Sequence, residues 1–312
     1  MREEFSFPSA DGKTTIHAIR WLPEGKPRYI LQMCHGMVEF IDRYDAFGTW
    51  LAERGVLAVG HDHLGHGDSV TSREEWGYFA EPHPSDTLVA DMHSLRTLVQ
   101  REYPGLPYFM LGHSMGSYLL RKYLALHGEG LAGALIVGTG FVPPAAADFG
   151  RALCGALARF RGWHYRSERV AALAMGGGAY AKFNSDGTRP EQSWLTRDTD
   201  IVKRYFADPR CTFRFTLNGY KGLFEAVSFS GKRAGAERIP KSLPLLLASG
   251  EDDPVGDLGA GVRKAEAMYR AAGIRDVTLK LYPGARHEIL NEINRQEVFA
   301  DFFGWMEERA KA

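Results

Sequence analysis

Apolar positions along this chain fall mostly in short unbroken runs rather than in alternation. Tyr29–Cys34, Val56–Gly60, Tyr108–Leu111, Gly133–Val137, Pro244–Gly250 and Val277–Tyr282 are runs of this kind. Most lead into a stretch with helical spacing: near Tyr44 to Arg54, Asp86 to Glu102 with Ser85 as a plausible cap, the segment after Ser114, Ala260 to Ala272, and Arg295 to Glu308. A strand with no polar face is buried on both sides. Repeated strand–helix units of this type therefore predict a largely parallel sheet covered by helices on both faces. The amino-terminal part reads differently. Glu4–Phe7 and Thr14–Leu22 alternate roughly and flank Asp11-Gly12, which predicts an antiparallel hairpin.

The strand–helix rhythm stops between about Phe141 and Ile239. Pro143-Pro144 ends the fourth parallel run, and an Ala- and Gly-rich stretch follows, including Met175–Ala179. A segment dense in aromatics comes next: Trp194, Tyr205, Phe206, Phe213, Phe215, Tyr220, Phe224 and Phe229. Nearly a hundred residues without clear strands are too many for a plain loop. They predict a mainly helical cap at 141–239, inserted before the last two strands of a core formed by 1–140 and 240–312.

Composition narrows the class. The chain has 312 residues, with Lys plus Arg equal to Asp plus Glu at 38 each, so no net field draws it to nucleic acid. Cys34, Cys154 and Cys211 are few, odd in number and without paired spacing, which argues against a disulfide framework and suits a reducing compartment. The first dozen residues lack the apolar centre of a secretory signal, and no apolar run reaches membrane-spanning length. The expectation is a soluble cytoplasmic protein.

The chemistry centres on Gly112-His-Ser-Met-Gly116, which lies between the Tyr108–Leu111 strand and a helix. In strand–Gly-x-Ser-x-Gly–helix context the serine sits on a strained turn at the carboxyl end of the sheet, so Ser114 is the candidate nucleophile. The free N–H of Met115 and the helix dipole favour negative charge beside it. A serine hydroxyl needs a base, and the base an orienting carboxylate. Two other strand ends offer them: Glu251-Asp252-Asp253-Pro254 after one, and Arg286-His287-Glu288 after the last. The order Ser, Asp, His makes His287 the base. Asp253, three residues past Gly250 and just before Pro254, is the carboxylate, with Asp252 and Glu251 as alternatives. His35-Gly36-Met37 follows the first parallel strand, where the N–H of Met37 is positioned to join that of Met115 in an oxyanion hole. His35 reads as structural.

Two stretches invite a metal reading. His287–Glu292 lacks a second histidine four residues on, where Asn291 stands, so it is not a zinc helix. His61, His63 and His66 are spaced like a binuclear zinc motif, but Gly65 occupies the position of its aspartate. The turn Asp62–Ser69 fits better as a buttress for the serine's elbow. No metal and no cofactor is called for.

Taken together, His35-Gly36-Met37, Asp62-x-x-Gly65-His66-Gly67-x-Ser69, Gly112–Gly116, Gly250-x-x-Asp253 and Arg286-His287-Glu288 resemble the α/β-hydrolase superfamily. Within it they look like the monoacylglycerol lipase and lysophospholipase group, whose bacterial members are grouped with serine aminopeptidase-like hydrolases. The resemblance spans nearly the whole chain. It implies the α/β-hydrolase fold, a Ser114–His287–Asp253 triad, oxyanion donors at Met37 and Met115, and hydrolysis of lipid-like esters without a cofactor. The implied partner is a small lipid-like ester such as a monoacylglycerol or lysophospholipid, with transient contact between the cap and a membrane surface. One departure stands out. Where these lipases often read His-Gly-x-Gly-Glu-His, this chain has His35–Phe40 with Met37 and Val38, a bulkier oxyanion loop. A peptidase on the same triad is the alternative, although the cap has few acids beside many aromatics.

Overall fold

The computed structural model describes residues 1–175 and 178–311; Gly176 and Gly177 of the glycine run lie outside the described residues. Eight strands form one sheet: β1 (Arg2–Pro8), β2 (Thr15–Trp21), β3 (Tyr29–Cys34), β4 (Val56–His61), β5 (Tyr108–His113), β6 (Gly133–Val137), β7 (Leu245–Gly250) and β8 (Val277–Tyr282). Their spatial order is β1-β2-β4-β3-β5-β6-β7-β8. The first two strands form the expected antiparallel hairpin, and β2 runs antiparallel to β4. Every pairing from β4 to β8 is parallel. Strands β3 to β7 are buried along their whole length, which is why their sequences carry no alternation.

Outside the cap the helices are α1 (Asp45–Ala52), α2 (Pro84–Glu102) and α3 (Met115–His127), and after it α9 (Ala260–Ala271) and α10 (Arg295–Ala310). On one face of the sheet, Phe47 and Leu51 of α1 and Phe299 and Phe302 of α10 pack with Tyr29, Leu31, Phe109 and Leu111. The other face is covered by α2, α3 and α9, through Met92, Leu95, Leu119, Leu120, Val262 and Ala265. Each fully buried side chain of this size contributes about 1.5–3 kcal/mol by leaving water.

Ser85 does not cap α2. The helix already begins at Pro84, and Ser85 is a buried first-turn residue whose hydroxyl donates to Glu225 and accepts from Lys122. A proline at the first helical position needs no donor there, so the helix starts at Pro84, ahead of the Asp86 start that the serine suggested.

Between β6 and β7 the described residues contain α4 (Pro144–Arg161), α5 (Glu168–Met175), α6 (Thr199–Ala207), α7 (Leu217–Ser230) and α8 (Arg233–Glu237), with short 3-10 turns between them. The cap is helical, as expected. Its aromatic segment divides in use: Phe215 is buried in the core, whereas Trp194, Tyr205, Phe206 and Phe213 line a cavity over the strand ends. No helix among the described residues is long and apolar enough to cross a membrane.

Candidate active site

Strand β5 ends at His113, and α3 begins at Met115. Ser114 between them has φ 53° and ψ −119°, a conformation that side-chain-bearing residues rarely adopt. The turn is held by its main chain. The N–H of Ser114 donates to the carbonyl of Val137 (3.0 Å), and its own carbonyl accepts from the N–H of Ser117 (2.8 Å) and from the Ser117 hydroxyl (2.6 Å). These bonds offset a strain of roughly 1–3 kcal/mol and leave the Ser114 hydroxyl free at the end of the strand. Gly116 is required here because a Cβ would collide with the main-chain oxygens of Cys34 and His35, so a side chain would drive α3 off β3.

The carboxylate and imidazole come from the ends of β7 and β8. Asp253 is fully buried, as is nearly all of His287. His287 Nδ1 lies 3.0 Å from Asp253 Oδ1. Asp253 also accepts from the Ser249 hydroxyl (2.8 Å) and from the N–H of Val255 (2.9 Å). Burial pushes the Asp253 carboxyl upward, but the facing imidazole and these donors outweigh it and hold the group below its ordinary value. Asp252 lies outside this arrangement and pairs with Lys182 at the surface (3.2 Å). Ser114 and His287 line the same cavity.

The loop after β3 carries Met37. Its N–H and that of Met115 donate to no described residue, and Met115 opens α3, where the helix leaves its first donors unpaired. Gly36 brings the loop close to the elbow: a Cβ there would lie 2.9 Å from the Ser114 Cβ. The added bulk of this loop has a backbone consequence, since Val38 takes φ 57°, an outlier for a β-branched residue. The cap pins it, with the Tyr205 hydroxyl donating to the Val38 carbonyl (3.0 Å).

A buried ionic network ties these loops together, and reading the sequence for chemistry missed it. Glu39 accepts from the N–H of Gly36 and from the Tyr44 hydroxyl (3.1 Å), and its Oε1 lies 2.9 Å from His113 Nδ1. Arg43 donates to Glu39 (2.8 Å) and, through both terminal nitrogens, to Glu288 (2.8 and 2.7 Å). Its guanidinium stacks on Tyr205 of the cap. Glu39 thus touches the loop that carries Met37 and the turn at Ser114, and reaches the residue after His287 through Arg43. The signal was present as Glu39 and Arg43 four positions apart beside the His-Gly motif, but the pair is indistinguishable in sequence from a surface ion pair. Removing one partner of a buried pair leaves the others uncompensated. Glu39→Ala is therefore expected to lower stability by about 3 kcal/mol, measured by urea unfolding; a change under about 0.5 kcal/mol would show that the network carries nothing.

The histidines after β4 are buttresses in this geometry. His35 Nε2 accepts from the N–H of His63 (2.8 Å), joining the ends of β3 and β4. The His66 ring packs between Phe79, Phe213 and Phe215. Among the described residues, the group of potential metal donors drawn together is His17, Asp62 and Asp68, not His61, His63 and His66. Asp62 there is occupied by His17 Nδ1 (2.9 Å) and by the N–H groups of Ile41 (2.7 Å) and Asp68 (2.9 Å), so it braces the turn.

The cavity above these residues measures about 1140 Å³ and is lined mainly by apolar cap residues, among them Ala147, Leu173, Phe213, Leu223 and Val227. Comparison with known proteins agrees with this layout. Residues 25–294 match the family described as "Hydrolase_4: Serine aminopeptidase, S33". The chain belongs to this family. This hydrolase is 27% identical to the monoacylglycerol lipase of Mycolicibacterium smegmatis over 98% of its own length and 97% of that protein's. It is 26% identical to the monoglyceride lipase of Homo sapiens, over 96% of the hydrolase and 89% of the human protein. Among solved structures it resembles a thermostable carboxyl esterase from Bacillus coagulans in complex with glycerol, with a TM-score of 0.90 and 31% identity over 99% of both chains. The hydrolase thus has the α/β-hydrolase fold and falls in the monoglyceride-lipase-like group.

Proposed function

We propose that this chain hydrolyses carboxylic esters of lipid-like substrates, monoacylglycerols or lysophospholipids, through an acyl-enzyme on Ser114. The observation that carries the reading is the buried His287–Asp253 pair, 3.0 Å apart, opening into the same cavity as a serine held at φ 53°. Ser114 Oγ attacks the ester carbon as His287 takes its proton, and the charged imidazole is stabilised by Asp253. Charge developing on the carbonyl oxygen is met by the N–H groups of Met37 and Met115, which have no acceptor among the described residues. His287 then gives its proton to the leaving alcohol, and water activated by the same ring releases the acid. The side chains and amides supply every step, without a metal or cofactor.

The lipid-like substrate is supported by the apolar lining of the cavity and by the similarity of the chain to monoglyceride lipases and a carboxyl esterase. Residues 141–239 form the cap in this reading, between core segments 1–140 and 240–312. Transient contact of the cap with a membrane surface is supported by Phe149 and Phe160 on α4 and Leu173 on α5, which are exposed. Three buried, unpaired cysteines suit the cytoplasm.

A fluorophosphonate is expected to add to Ser114. An intact-mass spectrum with no adduct, or an adduct mapping to another peptide, would overturn the nucleophile assignment. Substrate class is read separately, with p-nitrophenyl esters of graded chain length beside monoacylglycerols, lysophospholipids and aminoacyl amides. The expected order places medium or long acyl esters first. Aminoacyl amides turned over faster would favour the peptidase reading, for which Asp186 and Asp257 in the cavity wall are the available acids.

A further inference from the structure

The cap does more than roof the cavity. Its segment 191–197 runs along the loop that carries His287 and is bonded to it at several points. The N–H of His287 donates to the carbonyl of Trp194 (3.3 Å), and that of Glu288 to Leu195 (2.7 Å). Fully buried Glu292 accepts from the N–H of Arg286 (2.9 Å) on one side, and from the N–H (3.1 Å) and Nε (2.9 Å) of Arg197 on the other. The Thr196 hydroxyl donates to the carbonyl of Asn291 (2.9 Å). These bonds fix the main chain on both sides, yet none of them touches the imidazole itself.

Among the described residues the ring is held by one hydrogen bond, to Asp253, and by two aromatic neighbours. His113 packs on it with ring centroids 4.6 Å apart, and the indole of Trp194 with centroids 5.0 Å apart at an interplanar angle of 34°. A single hydrogen bond fixes one nitrogen but lets a ring rock about that contact. Flat neighbours remove the freedom and exclude water from the ring. Trp194 is itself backed by Tyr180, with centroids 5.6 Å apart, and its main chain is tethered as described above.

We propose that the indole of Trp194, supplied by the cap, is a positioning residue that holds the imidazole of His287 in register for proton transfer with Ser114. The proposal rests on the triad reading above. It separates the two roles a cavity-lining tryptophan can have. A wall of the acyl pocket matters in proportion to the length of the acyl chain. A residue that positions the base matters equally for every ester, including acetate.

The test compares the parent with Trp194→Ala, Trp194→Leu and Trp194→Phe on p-nitrophenyl acetate and p-nitrophenyl octanoate, with thermal unfolding as the folding control. The expected result is a fall in kcat of roughly 10- to 100-fold in the Ala and Leu variants, the same for both esters and with KM changed less than threefold. The flat ring of the Phe variant is expected to restore kcat to within about fivefold. An acetate kcat within twofold of the parent in a folded Ala or Leu variant overturns the proposal. A loss confined to octanoate, or expressed in KM, does the same and makes Trp194 a pocket wall. If the Ala variant does not fold, the Leu and Phe pair decides between these outcomes. His287→Ala run in parallel keeps the two readings apart: full turnover in that variant removes the triad itself, whatever Trp194 does.

Discussion

Ser114→Ala is expected to lower kcat/KM for p-nitrophenyl butyrate by about 10⁴- to 10⁶-fold, the scale on which removing the nucleophile of a serine hydrolase acts. In the proposed mechanism the residual rate is what the amides of Met37 and Met115 and the cavity supply with water as nucleophile. Stability is expected to stay within about 1 kcal/mol of the parent. The hydroxyl makes no hydrogen bond to a described residue, the main-chain bonds to Val137 and Ser117 are kept, and alanine inherits the same left-handed backbone. The pair of measurements is turnover in highly purified protein and midpoint of thermal unfolding. Turnover above 1% of the parent, with an unchanged midpoint, would place the nucleophile elsewhere.

The second large effect concerns pH. His35, His61, His63 and His66 are all fully buried around the ends of β3 and β4. Both ring nitrogens of His61 and of His63, and Nε2 of His66, have no hydrogen-bond partner among the described residues. Burial is the main cause that pushes all four downward: His63 to about 4, His66 to about 3, and His35 and His61 well below their ordinary value. A histidine held neutral in the fold but free to charge when unfolded makes no difference above its ordinary pKa of about 6.5. Below that, stability is lost by about 1.4 kcal/mol per pH unit for each such group, until the folded-state value is reached.

At pH 5 this is about 2 kcal/mol each from His63 and His66, with a loss of the same sign from His35 and His61. His17 and His113 act with the opposite sign, because partners hold them above the ordinary value: Asp62 for the first, and Glu39, against burial, for the second. Asp91, raised by burial to about 6, also favours the fold as pH falls. The net expectation is a loss of several kcal/mol between pH 7 and pH 5, a large share of a typical domain's stability. Urea midpoints across that range measure it, and a shift equivalent to less than 1 kcal/mol would show that these rings find partners on protonation. His61→Leu is expected to flatten the slope by about one proton, since that ring has no bond to lose.

Both effects arise from residues that were visible in the chain, but they were visible to different degrees. Ser114 and Asp253 stood out as candidates because each follows an unbroken apolar run, and the burial of a parallel strand on both faces writes itself into sequence as such a run. His287 follows Val277–Tyr282, an edge strand in which Thr278 and Lys280 interrupt the apolar positions. The order of the strands was not needed for that. The histidines of the Asp62–Ser69 turn read as support from the chain alone. Their shared burial against His35, which sets the pH response, depends on β3 and β4 lying side by side, and no local pattern records that pairing.

The parallel sheet, the helical character of the insertion, the serine elbow, and the strand ends that carry an acid and an imidazole were all legible in the chain before folding is considered. Each of these is a local property, set by periodicity, by turn chemistry or by residue type at a fixed offset. Tertiary structure alone decided that α2 starts at Pro84 and leaves Ser85 to Glu225 and Lys122, that Glu39, Arg43, Glu288 and His113 form one buried network, and that Trp194 of the cap packs on the ring of His287. The physical reason is the same in each case. An ion pair or an aromatic contact between segments tens to hundreds of residues apart gains its worth from being taken out of water, and only the folded chain decides which groups are taken out together.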